Sequence, residues 1–396
     1  MTTNRENGRR VVIDARWVEA ELSGIGRFTI ELLRELGRQE SGFRFLVLVR
    51  DAGRQAAIAR EAELAGKGQF DFAVVPWGPF SPRGQLAVAG LLREQKAAIY
   101  HSTNFMVPLP AFSRRRPHDT RCVCNIHDLI PLVHPEYTPR ALKSRFGPIY
   151  RRLMKEIAAR ADAVLTGSQS AKADIVQWLG MDEGRVAVMA DGVREDCVPA
   201  DGPRPSATPG TPRTILYVGR SDPYKNVPRL VEVFARLLKG HDDLPPLDVR
   251  LRLIGPPDPR YPEAAVMARR LGVEARVDWT GYVDDATLVR AYQEADVLAF
   301  LSRYEGFGLP VAEAMACGTP VVCSNAASLP EVAGNAALLV SPDDSDAAET
   351  ALRRVLTDPS LAAQMREAGL AQARQFRWKS VACSVLQIYE ALLCAR

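Results

Sequence analysis

The sequence predicts an α/β protein made of two parallel-sheet domains. Short apolar runs rich in β-branched residues alternate with segments of helical period along most of the chain, which is typical of a parallel sheet wrapped by helices. The chain has 396 residues, more than one typical compact domain holds. A stretch rich in Pro, Gly and small polar residues divides it. We therefore expect an N-terminal domain (1–193), a linker (194–213), a C-terminal domain (214–375) and a final helix (376–396).

Predicted strands of the first domain are each followed by a loop or a helix. They are VVIDA, FRFLVLV, DFAVV, AIYHS, RCVCNI, AVLTGS and RVAVM. Between residues 138 and 160 a basic amphipathic helix is predicted, with an apolar stripe made of Leu142, Phe146, Ile149, Leu153 and Ile157. Such a helix can bind the surface of an anionic membrane, where lipid-linked acceptors are located, or it can present a solvated face. Both alternatives stay open.

The second domain repeats the alternation. Its predicted strands are TILYVG, VRLRLIG, RVDWTG, DVLAFLS, PVVCS and ALLV, and its helices lie near 227–239, 262–271, 284–294, 310–317, 344–357 and 359–375. Asn226 is predicted to cap the first of these helices and Gly240 to end it.

Composition excludes several classes of protein. Hydrophobic (47%) and charged (25%) residues stand near globular averages, unlike a disordered, collagen-like or disulfide-scaffold chain. The seven cysteines form no CxxC pair, so buried thiols in a reducing cytosol are expected rather than a zinc or redox site. No apolar run approaches the ~20 residues that span a bilayer. We expect a cytoplasmic protein with no nucleic-acid partner.

The densest motif is SRYEGFGLPVAEAMACGTPVVC, residues 302–323. It reads as the end of a strand, a glycine-bearing loop, a short helix and another strand. Pro310 suits the first turn of the helix and Gly318 its end. The free backbone N–H groups near residues 307–311 and the helix dipole therefore predict an anion site.

Two glutamates belong to this motif. Glu305 stands in the loop and Glu313 follows eight residues later on the helix. Their separation suits acceptance of hydrogen bonds from two sets of sugar hydroxyls, one on a transferred sugar and one on a ribose. Ordinary solvated acids near a helix start are the alternative.

Two cations follow the first strand of the second domain, in ILYVGRSDPYKN. Arg220 and Lys225 at the carboxyl end of a strand can neutralise a leaving diphosphate without a metal ion. A pair of solvated surface cations is the alternative.

Gly24 and Gly26 precede a helix in SGIGRFTIELLREL. The alternative is a dinucleotide-binding loop with Asp51 as the ribose acid. That fingerprint requires its glycines directly after the first strand and a small residue at the position of Thr29, and this sequence meets neither requirement. The glycine spacing therefore disfavours a dehydrogenase.

The run from Glu305 to Glu313, with GFGLPVA between them, resembles the E-x7-E motif of retaining GT-B glycosyltransferases of family 4. The resemblance implies two Rossmann-like domains facing each other across a cleft, with the donor mainly on the second and the acceptor mainly on the first. It implies transfer with retention of anomeric configuration. The donor-binding residues it implies are Gly24, Gly26, Arg220, Lys225, Gly281, Tyr282, Val283, Glu305, Gly306, Phe307, Gly308, Leu309 and Glu313.

His127, in VCNIHDLIPL, follows a strand and matches a family position near the donor sugar. We therefore expect His127, Glu305, Arg220 and Lys225 to be the catalytic set. His101 and Ser102, which end the run AIYHS, are the acceptor-side candidates.

The runs CNIHDLIPL and YVGRSDPYKN most resemble bacterial mannosyltransferases that build O-antigen or exopolysaccharide. This resemblance implies GDP-mannose as donor and a saccharide or lipid-linked acceptor. A UDP-sugar transferase, a nucleotide-sugar 2-epimerase of the same fold and a nucleotide-sugar-binding protein are the alternatives.

A metal ion or other cofactor is not expected. The sequence Asp344-Ser345-Asp346 formally matches a metal-binding Asp-x-Asp, but it precedes a helical run and is read as a helix cap.

Overall fold

A computed structural model describes residues 9–19, 23–140, 146–202, 210–241, 244–256 and 258–394. The chain divides into two compact units. The first contains the described residues up to 133, residues 146–192 and the helix that begins at Trp378, and the second contains residues 134–140 and the described part of 193–377. The predicted boundary at residue 194 lies next to this division. Part of the predicted linker (203–209) and of the predicted basic helix (141–145) lies outside the described residues.

The first unit is built on a seven-stranded parallel sheet with strand order β3-β2-β1-β4-β5-β6-β7. Its strands are β1 (Arg10–Asp14), β2 (Arg44–Val49), β3 (Phe70–Val74), β4 (Ile99–Ser102), β5 (Arg121–Asn125), β6 (Ala163–Thr166) and β7 (Val186–Val188). Its helices are α1 (Gly24–Arg38), α2 (Ala52–Glu61), α3 (Pro82–Glu94), α4 (Ile130–Val133), α5 (Gly147–Arg160) and α6 (Gln169–Leu179). Hydrophobic clusters cover both faces of the sheet, as a parallel sheet requires.

The second unit is built on a six-stranded parallel sheet with strand order β10-β9-β8-β11-β12-β13. Its strands are β8 (Arg213–Val218), β9 (Val249–Ile254), β10 (Val277–Gly281), β11 (Val297–Phe300), β12 (Val321–Ser324) and β13 (Leu338–Val340). Its helices are α7 (Val227–Lys239), α8 (Glu263–Arg270), α9 (Asp285–Glu294), α10 (Leu309–Ala316), α11 (Leu329–Ala333), α12 (Ser345–Thr357) and α13 (Pro359–Ala373). The predicted strands of both units are confirmed.

The C-terminal helix α14 (Trp378–Cys394) returns to the first unit. Its buried residues Val381, Ala382, Val385 and Tyr389 join the cluster on one face of the first sheet. The sequence predicted this helix but not where it packs.

Two local predictions need correction. Asn226 stands at the N-cap position of α7, but in a left-handed conformation (φ 59°) and without a side-chain cap. Its amide Nδ2 donates instead to the carbonyls of Leu301 and Pro342 at 3.1 and 2.7 Å. The asparagine therefore ties the start of α7 to two other segments of the second unit.

The predicted basic helix, residues 138–160, also begins later than expected, since residues 138–140 form a bend and a turn and α5 begins at Gly147. Of its predicted apolar stripe, Phe146 and Ile149 are exposed and Ile157 is buried, and α5 also buries Tyr150, Met154 and Ala158. Because α5 begins at Gly147, Phe146 stands at its N-cap and the buried stripe runs through the positions i, i+4, i+7 and i+8.

Candidate active site

Strand order determines where a ligand site forms in the second unit. The order reverses between β8 and β11, and ligands of open α/β sheets bind outside the carboxyl ends of the strands at such a point. The chain leaving β8 carries Arg220 and Lys225, and the chain leaving β11 carries Glu305. Neighbouring parallel strands end at one edge, so these predicted residues are brought together.

Lys225 and Glu305 form the centre of this site. The ammonium Nζ donates to both carboxylate oxygens of Glu305 at 2.8 Å. Both side chains are largely buried, with 14% and 10% of their surfaces exposed. Nζ also lies 5.1 Å from the ring centroid of Tyr224 and 5.5 Å from that of Phe300. The low-dielectric surroundings strengthen the attraction between the two charges.

Ser328 helps to hold the loop before α10. Ser328 Oγ lies 2.9 Å from the carbonyl oxygen of Glu305 and 2.6 Å from that of Phe307. Gly308 follows with φ 110°, and a Cβ there would lie 2.6 Å from Leu329 Cδ2. Pro310 occupies the first turn of α10, as predicted. The start of α10 is thereby fixed at the carboxyl edge of the sheet.

Arg220 follows β8, the same strand that leads to Lys225, and half of its side chain is exposed. Its Nε is 3.1 Å from Asp222 Oδ2 and its Nη2 is 3.0 Å from Asp258 Oδ2. Asp258 also accepts from Arg260, at 2.6 Å from its Nη2. Hydrogen bonds from the Arg260 guanidinium hold the pKa of Asp258 well below its ordinary value. The two arginines therefore share one permanently ionised carboxylate.

A pocket of about 440 Å³ opens beside Arg220. Its walls come from the carboxyl ends of β8, β9 and β10 and the loops that follow, and include Gly219, Gly255, Tyr261, Trp279 and Gly281. A Cβ on Gly255 would lie 1.9 Å from the carbonyl oxygen of Gly219, so only glycine fits there.

Of the predicted nucleobase turn, Gly281 lines the pocket, and Tyr282 directly after it is half-exposed. Sequence reasoning missed Asp258 and Tyr261, although the carboxyl end of β9 was a signal that could have found them.

Glu313 points into the second unit. It is buried on α10 and accepts a hydrogen bond from the Tyr292 hydroxyl on α9 at 2.9 Å. Burial raises the pKa of Tyr292 well above its ordinary value, so the phenol stays a donor. Sequence reasoning did not predict this partner, and the ribose role of Glu313 stays a prediction.

Glycines of the first unit lie at the start of α1, after β1. Gly24 is the first residue of the helix, and Ser23 Oγ caps it by accepting from Gly26 N at 3.2 Å. A Cβ on Gly24 would meet no atom within 4 Å. Asp51 accepts from Arg54 N at 2.8 Å as the cap of α2, which makes it a structural residue rather than a ribose acid.

His127 follows β5, at the carboxyl edge of the first sheet. Its Nε2 donates to the carbonyl of Thr103 at 3.1 Å, and its ring lies edge-on to Phe28 with centroids 5.1 Å apart. In the neutral ring, Nδ1 is then the nitrogen that can accept a hydrogen bond from a ligand hydroxyl.

Asp191 is a further titratable group near His127 that sequence reasoning did not single out. Burial raises the pKa of this carboxyl to about 6, and the charge of His127 acts in the opposite direction. A carboxyl in this range changes protonation close to neutral pH.

The two acceptor-side candidates lie inside the protein. His101 is fully buried, with Nδ1 2.6 Å from the Tyr389 hydroxyl and Nε2 2.7 Å from Asn125 Oδ1. Burial lowers its pKa to about 4, which keeps the ring neutral. Ser102 is fully buried too. This geometry favours a role in packing for both residues.

The Asp344-Ser345-Asp346 segment is a helix cap, as predicted. Asp344 Oδ1 accepts from Ala347 N at 2.9 Å at the start of α12. Asp346 is paired with Arg236. Within the described residues, no group of three His, Cys, Asp or Glu side chains is placed to hold a metal ion. In the same part of the chain, no helix combines the length and apolar character that crossing a membrane needs.

Two family models match the chain. Residues 22–196 match the model described as Glycosyltransferase Family 4, and residues 201–372 match the model described as Glycosyl transferases group 1. With the two parallel-sheet units, these matches define the class of the protein as a glycosyltransferase of GT-B fold. The chain belongs to family 4 of these enzymes.

Two curated relatives match over different shares of their length. The O-antigen chain mannosyltransferase B of Escherichia coli is 28% identical over 97% of this chain and 100% of its own length. The serotype-specific mannosyltransferase WbdA of Escherichia coli is also 28% identical, over 74% of this chain, but the match spans only 36% of that protein.

Solved structures share the fold. Sucrose-phosphate synthase from Thermosynechococcus elongatus has a TM-score of 0.76 at 20% identity, covering 98% of this chain and 100% of its own. Anabaena Alr3699/HepE in complex with UDP-glucose has a TM-score of 0.72 at 19% identity, with coverage of 98% and 100%. At this level of identity the likeness concerns the fold alone.

Proposed function

We propose that this glycosyltransferase moves mannose from GDP-mannose, with retention of anomeric configuration, to a saccharide or lipid-linked acceptor in bacterial polysaccharide synthesis. The observation that carries the proposal is the nearly full-length match to an O-antigen mannosyltransferase. The site around Lys225 and Glu305 supplies the chemistry that such a transfer needs.

Lys225 and Arg220 balance the charge of the leaving diphosphate. The ammonium of Lys225 has three N–H donors, and the two hydrogen bonds to Glu305 leave one for a phosphate oxygen. Arg220 is half-exposed, and its Nε and Nη2 donate to Asp222 and Asp258. The guanidinium has further N–H donors for a phosphate oxygen. Together with the N-terminus of α10, these donors stabilise the charge that develops when the glycosidic bond breaks. No metal ion is needed in this proposal.

Glu305 acts as a hydrogen-bond acceptor for the transferred sugar. Both of its oxygens bind Lys225, so the carboxylate is oriented and partly neutralised rather than free to attack the anomeric carbon. Retention then follows if the departing phosphate deprotonates the acceptor hydroxyl on the face that it leaves. His127 Nδ1 binds a sugar hydroxyl, and Gly24 and Gly26 contact the donor.

The pocket beside Arg220 is assigned to the nucleobase. It is lined by Gly219 and Ser221, the chain neighbours of Arg220, and its volume of about 440 Å³ falls in the range of small-molecule sites. Half-exposed Trp279 offers an aromatic surface in its wall.

A thermal-shift screen with GDP, UDP, ADP and their sugars tests the donor. A ligand at 100 times its Kd stabilises by about 2.7 kcal/mol, so GDP and GDP-mannose are expected to raise the melting temperature. Arg220→Ala should abolish that shift, and Arg269→Ala, on the outer side of α8, is the matched control. Stabilisation by UDP alone would favour a UDP-sugar donor, as bound to the Anabaena protein.

Incubation of labelled GDP-mannose without acceptor separates the transferase from a 2-epimerase. A transferase releases little sugar and forms no epimer, because the reaction waits for the acceptor hydroxyl. Epimer formation without acceptor contradicts the proposal.

We further propose a cytoplasmic location with peripheral contact to the inner face of the membrane. Phe146 and Ile149 are 52% and 68% exposed, next to the exposed cations Arg151, Arg152 and Lys155 of α5. Apolar side chains flanked by cations suit an anionic bilayer surface. Co-sedimentation with vesicles that contain phosphatidylglycerol should weaken in Ile149→Asp, whereas unchanged sedimentation contradicts the contact.

A further inference from the structure

Three aromatic rings meet at the carboxyl edge of the first unit's sheet. Trp17 follows β1, and its ring centroid lies 5.7 Å from that of Phe80 and 5.9 Å from that of Phe105. Phe80 and Phe105, which follow β3 and β4, are 5.8 Å apart. Phe80 is 54% exposed, and Trp77 in the same segment is 41% exposed. We call Trp17, Trp77, Phe80 and Phe105 the aromatic platform.

The segment that presents Trp77 and Phe80 is rigidly held. Three successive carbonyl oxygens accept side-chain hydrogen bonds. The bonds are Arg16 Nη1 to Trp77 O at 3.0 Å, Ser81 Oγ to Gly78 O at 3.0 Å and Gln85 Nε2 to Pro79 O at 2.6 Å. Arg16 is itself anchored by a buried ion pair with Asp14 at 2.6 Å. Two large aromatic side chains are therefore displayed to solvent by a fixed backbone, which is typical of a binding surface.

Two hydrogen-bond donors next to the rings lack partners. Trp17 Nε1 is buried and bonds to nothing among the described residues. Asn104, directly before Phe105, is 6% exposed, and its Oδ1 accepts from Phe105 N. In the described part of the chain its Nδ2 donates to no acceptor. The buried donor Trp17 Nε1 costs about 1–3 kcal/mol without an acceptor, and a ligand rich in hydroxyl oxygens would remove that cost.

We propose that the aromatic platform is the acceptor subsite and that its ligand is a saccharide. The C–H face of a hexose stacks on Phe80 and Trp77, because the electron-rich ring faces attract the weakly positive C–H groups. Its hydroxyl oxygens accept hydrogen bonds from Trp17 Nε1 and Asn104 Nδ2. An alkyl chain offers no acceptor for these donors, which favours a sugar over a lipid.

This inference rests on the proposed function, since it names the acceptor of that transfer. It also replaces the sequence-based candidates. His101 and Ser102 are enclosed in the first unit, whereas the platform reaches solvent at the edge where sheets of this kind bind ligands.

Saturation-transfer NMR with methyl α-D-mannopyranoside and an α-linked mannobiose tests the platform directly. Phe80→Ala and Trp77→Ala should weaken binding of these probes about tenfold, the loss expected for one aromatic contact. Trp17→Phe keeps a ring but removes the indole donor, and should weaken binding without abolishing it. Leu86→Ala, an exposed apolar position on α3 outside the platform, is the matched control and should bind as the unaltered protein does.

Absence of saturation transfer to the unaltered protein overturns the proposal, as does equal loss in Leu86→Ala. Vesicle co-sedimentation of the same variants tests the lipid alternative. If Phe80→Ala keeps saccharide binding but loses vesicle binding, the platform is a membrane contact and the proposal is wrong. Thermal shift with GDP is measured in parallel. Saccharide binding without GDP binding would leave the platform standing and contradict only the proposed donor.

Discussion

The ion pair of Lys225 and Glu305 matters both for the stability of the protein and for binding of the donor. Each charge is desolvated, so each depends on the other for stability. Lys225 also has to meet the donor phosphate, while Glu305 has to meet the sugar. The residue types and their order could be predicted from the sequence, but their mutual ion pair could not, because eighty positions separate them along the chain.

Removal of Lys225 should damage stability and activity together. Lys225→Met leaves a buried carboxylate without its cation, which costs about 3–5 kcal/mol of unfolding free energy. It also removes a donor aimed at the developing charge, worth about 10²–10³ in kcat. Urea unfolding and initial rates with GDP-mannose measure the two effects.

The double variant Lys225→Met/Glu305→Gln separates the two effects. Replacing both charges removes the unpaired carboxylate, so stability should recover largely while activity stays low. Recovery of activity together with stability contradicts the assigned role in the diphosphate site.

His101 should make the protein less stable in mild acid. Burial lowers its folded pKa to about 4, whereas the unfolded value is about 6.5. The unfolded chain therefore binds the proton first, and the stability present above pH 6.5 falls by about 1.4 kcal/mol per pH unit as the pH drops towards 4.

Asp191 has the opposite effect on the pH dependence of folding stability, so the histidine is measured in an Asp191→Asn background. Its folded pKa is raised to about 6, so protonation between pH 6 and pH 4 stabilises the folded state. Urea unfolding of Asp191→Asn and of Asp191→Asn/His101→Asn at pH 7 and pH 4.5 isolates the histidine. An equal pH dependence in both variants contradicts the assignment.

At the scale of elements, helices α1 and α10 each begin at or directly after a glycine, Gly24 and Gly308. Alanine at these two positions gives a matched pair of variants. Gly308→Ala forces a left-handed residue and a contact of 2.6 Å with Leu329, which should cost about 1–3 kcal/mol. Gly24→Ala adds a methyl group in open space at the start of α1, so its effect on stability should be near zero or slightly favourable.

Transfer rates distinguish the roles of the same two glycines. Both variants should transfer more slowly, Gly308→Ala because the start of α10 shifts and Gly24→Ala because the methyl group obstructs the donor. Full activity of Gly24→Ala at unchanged stability contradicts a donor contact at that glycine.

The C-terminal helix α14 stabilises a sheet formed more than 180 residues earlier in the chain. Val385→Ala removes two buried methyl groups from its core-facing side and should cost about 2 kcal/mol. Gln387→Ala on the exposed side is the control. Equal melting temperatures for the two variants contradict the packing of α14 on the first unit.

Most of the fold could be predicted from the sequence, because the strands and helices of a parallel α/β domain each have a local sequence pattern. Each strand is a short apolar run, and several helices carry their own end signals, such as Asp344 at the start of α12 and Gly240 at the end of α7. Where α14 packs was not readable, since an amphipathic helix does not specify which apolar surface it covers. The start of α5 was placed too early, at residue 138, whereas the helix begins at Gly147.

The residues of the candidate site also fall into those that the sequence predicts and those that it does not. Motif residues at strand ends were predictable, since the carboxyl ends of parallel strands share an edge. Asp258 was not predicted, although it follows the carboxyl end of β9, and Asp191 was not predicted because a single acid in a loop carries no pattern. His101 illustrates the reverse case, because only the tertiary fold reveals that Tyr389 and Asn125 take both of its ring nitrogens.

For the whole molecule, the central claim is retaining transfer from GDP-mannose by a charge-balanced diphosphate site. The direct measurement is the configuration of the glycosidic bond formed when the enzyme is given GDP-α-mannose and a mannoside acceptor, read by NMR from the one-bond coupling at the anomeric carbon. An α-linked product, formed by the unaltered enzyme and lost in Lys225→Met, is the predicted result. A β-linked product, or transfer from UDP-sugars with none from GDP-mannose, would contradict the claim.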